Sequence, residues 1–458
     1  MPNILILGAG RVGSSVAEQL VRENYNVTIV DEQPSNLQPL ADKLDLRTLC
    51  GHASNPVTLA QAGAADADLI LAVTPSDELN MVACKIAHSL FNVPTRLGRI
   101  RDQDLLARPE LFTEDGFAID HIITPAQIVT DLLQGLVATP EALQVLEFGA
   151  GKAQMVAVRI EAGAAMDGKD LSTLPLYLEK IDCRIVSIYR GNKRITPDGN
   201  TTLSVGDEVF FLAARQHVRS VIRQFRASER TIKRITLCGG GNVGYRLARA
   251  LADDYQVKII EVQRERAQWL AEHLPNCLIL RGEATDENLL DTEQIDRCDL
   301  FMALTSDDED NIMSSLLAKQ MGARKVVAII NRSRYVDLLQ GGKIDVAISP
   351  AQATIGALLT HVRQGDIVAV HSLRRGEAEA IELIAHGDRN NSRVVGRKVE
   401  EIKLPQGANL AALIRGEQVL MAHHDTVIEN EDHVIVFIDN KRHIREIEQL
   451  FAVKIGFF

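Results

Sequence analysis

The chain has 458 residues, enough for about three domains of ordinary size, and its 46% hydrophobic, 24% charged and 4% aromatic composition predicts globular cores of Val, Ile, Leu and Ala rather than disorder. Lys and Arg number 50 against 61 Asp and Glu, and the resulting charge of −11 argues against a general nucleic-acid or anionic-lipid binder. The six cysteines (Cys50, Cys84, Cys183, Cys238, Cys277, Cys298) form no C-x-x-C pair, no run of about 18 apolar residues is free of charge, and the amino terminus has no secretory pattern. Reduced structural thiols, a cytoplasmic location and at most a peripheral membrane role are therefore expected.

In chain order, Ile4 to Leu7 reads as a strand and is followed at once by Gly8-Ala9-Gly10-Arg11-Val12-Gly13. Val12, Val16 and Leu20 then recur every four residues, so the glycine loop opens an amphipathic helix. Further strands are predicted at Val27 to Val30, Leu46 to Leu49, Leu69 to Val73, Arg96 to Ile100 and His121 to Ile123. Strand and helix alternating at this spacing predict parallel crossovers and a doubly wound α/β sheet. From about Val145 to Phe225 the pattern changes to short alternating runs, Met155 to Ile160, Arg184 to Tyr189 and Glu208 to Leu212, with Pro197-Asp198-Gly199 as a turn. A small α+β domain is expected there, followed by a solvated linker at Arg226 to Arg230.

The remainder repeats the first half. Gly239-Gly240-Gly241-Asn242-Val243-Gly244 answers the first loop at an offset of 231 residues. Gly282, Ala284, Asp299-Leu300, Thr305, Asp308 and Asn311 keep that register with Gly51, Ala53, Asp68-Leu69, Thr74, Asp77 and Asn80. Further on, at an offset of 225, Pro350-Ala351-Gln352 answers Pro125-Ala126-Gln127, and Glu431-Asp432-His433 answers Gly206-Asp207-Glu208. The chain is thus expected to be a tandem duplication of a Rossmann-like doubly wound parallel-sheet domain, each copy followed by a small α+β domain.

A G-x-G-x-x-G that follows a strand, opens a helix and precedes a second strand ending in an acid is the pattern that holds a dinucleotide. The glycines allow a tight turn, approach of a pyrophosphate and close helix packing, while the helix start presents unpaired amides to phosphate. Asp31 in the first copy and Glu261 in the second stand where a carboxylate accepts ribose hydroxyls, which disfavours a 2′-phosphate. Arg11 has two readings, a phosphate contact or a solvated side chain. Arg99, at the end of the fifth strand, adds positive charge that the second copy lacks, since the 231 offset pairs it with Ile330. Thr74 is expected beside the ligand, and Asp77 either there or capping the next helix. Gly51-His52-Ala53-Ser54 is expected at the adenine edge. The His423-His424 pair has no further ligands at metal spacing, and neither an acid/base constellation nor a Walker loop is present.

Gly8 through Gly13 with Asp31, Thr74 to Asn80 followed by Met81-Val82-Ala83-Cys84, Arg99-Ile100-Arg101, Ile348-Ser349-Pro350 and Ser372-Leu373-Arg374-Arg375-Gly376 together resemble the TrkA family, the cytoplasmic regulatory subunits of bacterial Trk-type potassium-uptake systems. The resemblance covers essentially the whole chain. It implies nucleotide-binding domains at 1–125 and 226–350, and connecting helices with small carboxyl-terminal domains at 126–225 and 351–458. It also implies NAD(H) and ATP or ADP as ligands, with contacts at Gly8, Ala9, Gly10, Arg11, Val12, Gly13, Asp31, Thr74 and Arg99, and at Gly239, Gly240, Gly241, Asn242, Val243, Gly244 and Glu261. No catalytic or metal residue is implied. A homotetrameric gating ring on the cytoplasmic face of the inner membrane, docked on a membrane-embedded potassium-translocating subunit, is the implied assembly. The competing readings are an NAD-dependent oxidoreductase, which would need an acid/base group, and an NAD-sensing scaffold or transcriptional regulator, which would need a basic helix-turn-helix.

Overall fold

The computed structural model of the chain describes residues 2–227, 231–332, 335, 343–363 and 366–453. The first six strands, β1 (Asn3–Leu7), β2 (Asn26–Asp31), β3 (Arg47–Cys50), β4 (Leu69–Ala72), β5 (Thr95–Arg99) and β6 (His121–Ile123), form one parallel sheet in the order β3-β2-β1-β4-β5-β6. Apolar side chains along β1 and β4 are buried on both faces, as covering helices require. The order reverses between β1 and β4, so a crevice opens beyond their carboxyl ends, where the first glycine loop lies.

Five antiparallel strands follow: β7 (Ala142–Phe148), β8 (Ala153–Arg159), β9 (Cys183–Arg190), β10 (Lys193–Ile195) and β11 (Glu208–Ala214), ordered β10-β9-β11-β8-β7. The second copy repeats both sheets. Strands β12 (Arg234–Cys238), β13 (Gln256–Glu261), β14 (Leu278–Arg281), β15 (Leu300–Ala303), β16 (Lys325–Ile329) and β17 (Val346–Ile348) are parallel in the order β14-β13-β12-β15-β16-β17. Strands β18 (Ile367–Leu373), β19 (Ala378–Ile384), β20 (Ala408–Arg415), β21 (Gln418–Met421) and β22 (His433–Ile438) reproduce the antiparallel sheet. The duplication extends to an ion pair on a buried aspartate. Arg190 donates to both oxygens of Asp207 at 2.8 Å each, and Arg415 does the same to Asp432.

Two compact units divide the chain: one holds residues up to Ile128 together with Pro350–Val362, the other Val129–Ser349 together with Arg363 onward. In the first, the helix Pro350–Val362 packs on the helix Arg11–Arg22, and His361 stacks on His121 at 3.7 Å between ring centres. Burial, reinforced by His121, pushes the His361 imidazole down to about 4. In the second unit the two antiparallel sheets share one core, in which Phe148, Val186 and Phe210 meet Leu373, Ile414 and Phe437. Buried Glu382 accepts a hydrogen bond from the Gly149 N–H at 3.0 Å, and Gln144 donates to the Ser372 carbonyl at 2.8 Å. The small domains of one chain therefore seal each other.

The expected strands agree with the observed ones to within one or two residues at each end. The expectation of a solvated linker fails at its first residue: Arg226 pairs with Glu161 and is only 9% exposed at its side chain. Ser228 to Arg230 lie outside the described residues.

Candidate functional site

The first glycine loop owes its shape to three different constraints. Gly8 adopts φ +104°, which an L side chain resists, and a Cβ on Gly13 would lie 1.9 Å from the Gly8 carbonyl oxygen. Gly10 differs: a Cβ there would meet nothing within 4 Å, and no side chain caps the helix that begins at Arg11. The loop is thus closed against its own backbone on one side and open to solvent over the helix start, where amides face outward. Asp31, at the end of β2, accepts from the Ala9 N–H at 2.7 Å through one oxygen, and from the Gln33 N–H at 2.9 Å and Asn36 Nδ2 at 3.1 Å through the other. Each carboxylate oxygen has two lone pairs, so this anchoring leaves accepting capacity for a ligand hydroxyl.

The second loop has the same backbone. Gly239 has φ +101°, and a Cβ on Gly244 would lie 2.0 Å from the Gly239 carbonyl. Glu261 accepts from the Gly240 N–H at 2.8 Å and the Gln263 N–H at 2.9 Å, so the longer acid takes the place of Asp31. Gly241, like Gly10, has open space above it, and the helix starting at Asn242 has no side-chain cap.

Thr74 stands at the carboxyl end of β4 but spends its hydroxyl internally. Its N–H and Oγ1 both donate to Asn80 Oδ1, at 2.9 and 2.7 Å, while Asn80 Nδ2 donates to the carbonyls of Thr74 at 3.2 Å and Arg99 at 2.9 Å. Asn80 is fully buried and ties the end of β4 to the end of β5. Asn311 makes the same four bonds to Thr305 and Ile329. Asp77 does not cap: Ser76 accepts from Leu79 N–H as the cap. The buried Asp77 carboxylate instead takes the N–H groups of Arg101 at 2.7 Å and Asp102 at 2.9 Å, and Asp308 takes those of Asn331 and Arg332 at 2.8 Å each. These networks move the counterpart of Arg99 by one residue. It is Ile329, not Ile330, because the second copy is one residue shorter between the asparagine and the strand; Ile330 answers buried Ile100 instead.

Charge separates the two loops. Arg99 donates to the Thr74 carbonyl at 2.5 Å, while its buried Nε has no hydrogen-bond partner among the described residues. Burial and the neighbouring Arg101, with a further push from Arg11, bring the Arg99 guanidinium below its ordinary value against the pull of Asp77. An anion at this spot would relieve that crowding. Arg11 is exposed at the helix start. The second loop has Asn242 and Ile329 in the places of Arg11 and Arg99.

The site residues that sequence reasoning missed are Asn80, Asn311 and Asp308 as scaffolding, and Arg266 beside the second loop. The asparagines did show a signal, since both fall in the repeat register. His52 is exposed and bonds Ser54, His423 bonds Asp182, and all six cysteines are free. Among the described residues no group of three or more His, Cys, Asp or Glu could hold a metal ion, and no helix is long and apolar enough to cross a membrane.

Comparison with known proteins follows these divisions. The TrkA-N domain model matches residues 4–125 and 235–350, and the TrkA-C domain model matches residues 155–226 and 389–452. The Trk system potassium uptake protein TrkA of Halomonas elongata is 51% identical over 455 residues, covering 99% of this chain and 100% of that one. In fold, the chain is similar to the crystal structure of the GsuK RCK domain, at TM-score 0.62 and 18% identity over 98% of this chain and 95% of that one. It is also similar to the GsuK channel bound to NAD, at TM-score 0.60 and 17% identity over 98% of this chain and 79% of that one.

Proposed function

Because the chain belongs to the TrkA family of Trk-system potassium uptake proteins, we propose that it is a regulatory subunit that senses adenine nucleotides and sets potassium uptake through a membrane-embedded partner. The observation that carries this reading is the cradle found twice: an acid locked to the glycine-loop N–H, open space over the middle glycine and an uncapped helix start. The residues present fit an adenosine diphosphate group. Gly8 through Gly13 hold its phosphates and Asp31 its ribose, with Thr74 shaping the wall through Asn80 and Arg99 and Arg11 meeting the charge; Gly239 through Gly244 and Glu261 do the same in the second copy.

NAD(H), ATP and ADP share this half and differ beyond it. A nicotinamide riboside and a γ-phosphate differ in size and charge, and the arginines of the first loop favour the more anionic ligand. If each ligand prefers a different ring geometry, a tenfold preference is worth about 1.4 kcal/mol per site, and several coupled sites move the equilibrium further than one. The ligand is held, not transformed. The assembly that suits this role is a homotetrameric ring, eight nucleotide-binding domains in all, on the cytoplasmic face of the inner membrane; its nucleotide-binding domains span 1–125 and 226–350, and its connecting helices and small domains 126–225 and 351–458.

The test is potassium flux through the transporter reconstituted with this chain. Saturating ATP and NADH should give clearly different fluxes. Equal flux with either ligand and with neither would remove the gating role.

A further inference from the structure

The second loop lacks Arg11 and Arg99, yet a different cation stands beside it. Arg266, in the first turn of the helix Arg264–His273, donates from Nε to the Gly240 carbonyl at 2.7 Å. Its guanidinium lies over the Trp269 ring at 4.2 Å and toward the Tyr245 ring at 5.9 Å, and those two rings meet edge to face at 4.9 Å. His273 stacks on Trp269 at 4.0 Å. The guanidinium is therefore fixed by one hydrogen bond and a flat aromatic face, while neither of its two amino groups has a hydrogen-bond partner among the described residues. An arginine so fixed has already lost most of the rotamer freedom that ligand binding would remove, and its fork matches the oxygens of a phosphate. In the first copy the corresponding helix position holds Asn36, which bonds Asp31 instead.

We propose that Arg266 is the phosphate-reading residue of the second cradle, replacing from the adjoining helix the charge that Arg11 and Arg99 provide in the first. This rests on the reading of that loop as an adenine-nucleotide site. The ligand class is a nucleotide with a phosphate chain held at the loop, and the specificity that follows is for ADP over adenosine. A cation on the helix side of the loop, rather than at the end of the fifth strand, also means that the second cradle reads phosphates near the loop.

Trp269 is the only tryptophan of the chain, so its emission reports on this cradle alone. The experiment titrates ADP and adenosine into the full chain and into Arg266→Ala and Arg266→Lys, reading tryptophan emission together with calorimetric stoichiometry. Arg266→Ala should weaken ADP at the second loop by about tenfold or more, the scale of a charge-assisted hydrogen bond, and leave adenosine within about twofold. Arg266→Lys should fall between, since it keeps the charge and loses the fork. ADP binding at the first loop, unchanged in either variant, certifies the fold. Equal weakening of ADP and adenosine would assign Arg266 to the base instead and overturn the proposal, as would unchanged ADP affinity. A stoichiometry of one ADP per chain in the unmodified protein would remove the second loop as a site altogether, and the two failures are thereby distinguished.

Discussion

The two glycine loops have nearly the same backbone and quite different charge. Gly8 and Gly239 share a positive φ, Gly13 and Gly244 lie against the carbonyls of Gly8 and Gly239 respectively, and Asn80 and Asn311 make the same four hydrogen bonds. Against that frame, Arg11 and Arg99 give way to Asn242 and Ile329, and Arg266 enters from another helix. The backbone needed for a phosphate turn tolerates almost no variation, because it depends on positive φ and on backbone approaching backbone. Charge can be delivered from several elements, so it is the part of a duplicated site that is free to diverge.

The largest test of that comparison is steric. Gly13→Ala puts a methyl group where the Gly8 carbonyl stands, so nucleotide binding at the first loop should vanish and the second loop should keep its affinity; Gly244→Ala should do the reverse. Calorimetry separates the two, and a loss at both loops from either change would mean that the copies are not independent cradles.

The small domains diverge in the same manner. Glu379 of β19 is buried between Arg363 at 2.9 Å and Lys441 at 3.1 Å, whereas its counterpart in β8 is Gln154, bonded to Glu147. Although burial opposes it, Arg363 and Lys441 hold the Glu379 carboxyl below its ordinary value of 4.5. A depressed folded-state value gives stability that is present above the unfolded value and lost as the pH falls through the folded one. Glu379→Gln should therefore cost about 3 kcal/mol at neutral pH by removing the buried carboxylate that pairs with both Arg363 and Lys441, and its deficit against the unmodified chain should shrink below about pH 4. Denaturant unfolding across that pH range reads both. A deficit independent of pH would show that the side chain acts by packing and not by charge.

A smaller effect is expected at Arg99. Arg99→Ala should weaken ATP at the first loop by about tenfold and flatten its salt dependence, with the second loop unaffected. Titrations at two salt concentrations would measure it, and an unchanged salt slope would separate Arg99 from the phosphates.

Much of this fold could be read from residue order. Short apolar runs located the strands of the first sheet to within a residue or two, and the repeat carried them to the second. The repeat register also marked Asn80 and Asp77 through Asn311 and Asp308, but not their roles, because a side chain that closes onto a backbone eighteen or more residues away leaves no local pattern. The same limit hid Arg266: its meaning depends on Gly240, 26 positions earlier, and on a tryptophan stacked one helical turn away. It also hid the shift from Ile330 to Ile329, since a one-residue shortening ahead of β16 changes the register without changing the apolar run. The sealing of the two small domains against each other depends on which sheet faces meet, which alternation alone does not state.

The account is tested most directly by calorimetric titration of ATP and NADH into the unmodified chain and into Asp31→Ala and Glu261→Ala. It predicts two adenine-nucleotide sites per chain, with Asp31→Ala removing the more salt-sensitive ATP site and Glu261→Ala removing the other. Binding of neither ligand to the unmodified chain, or both variants binding as it does, would contradict it.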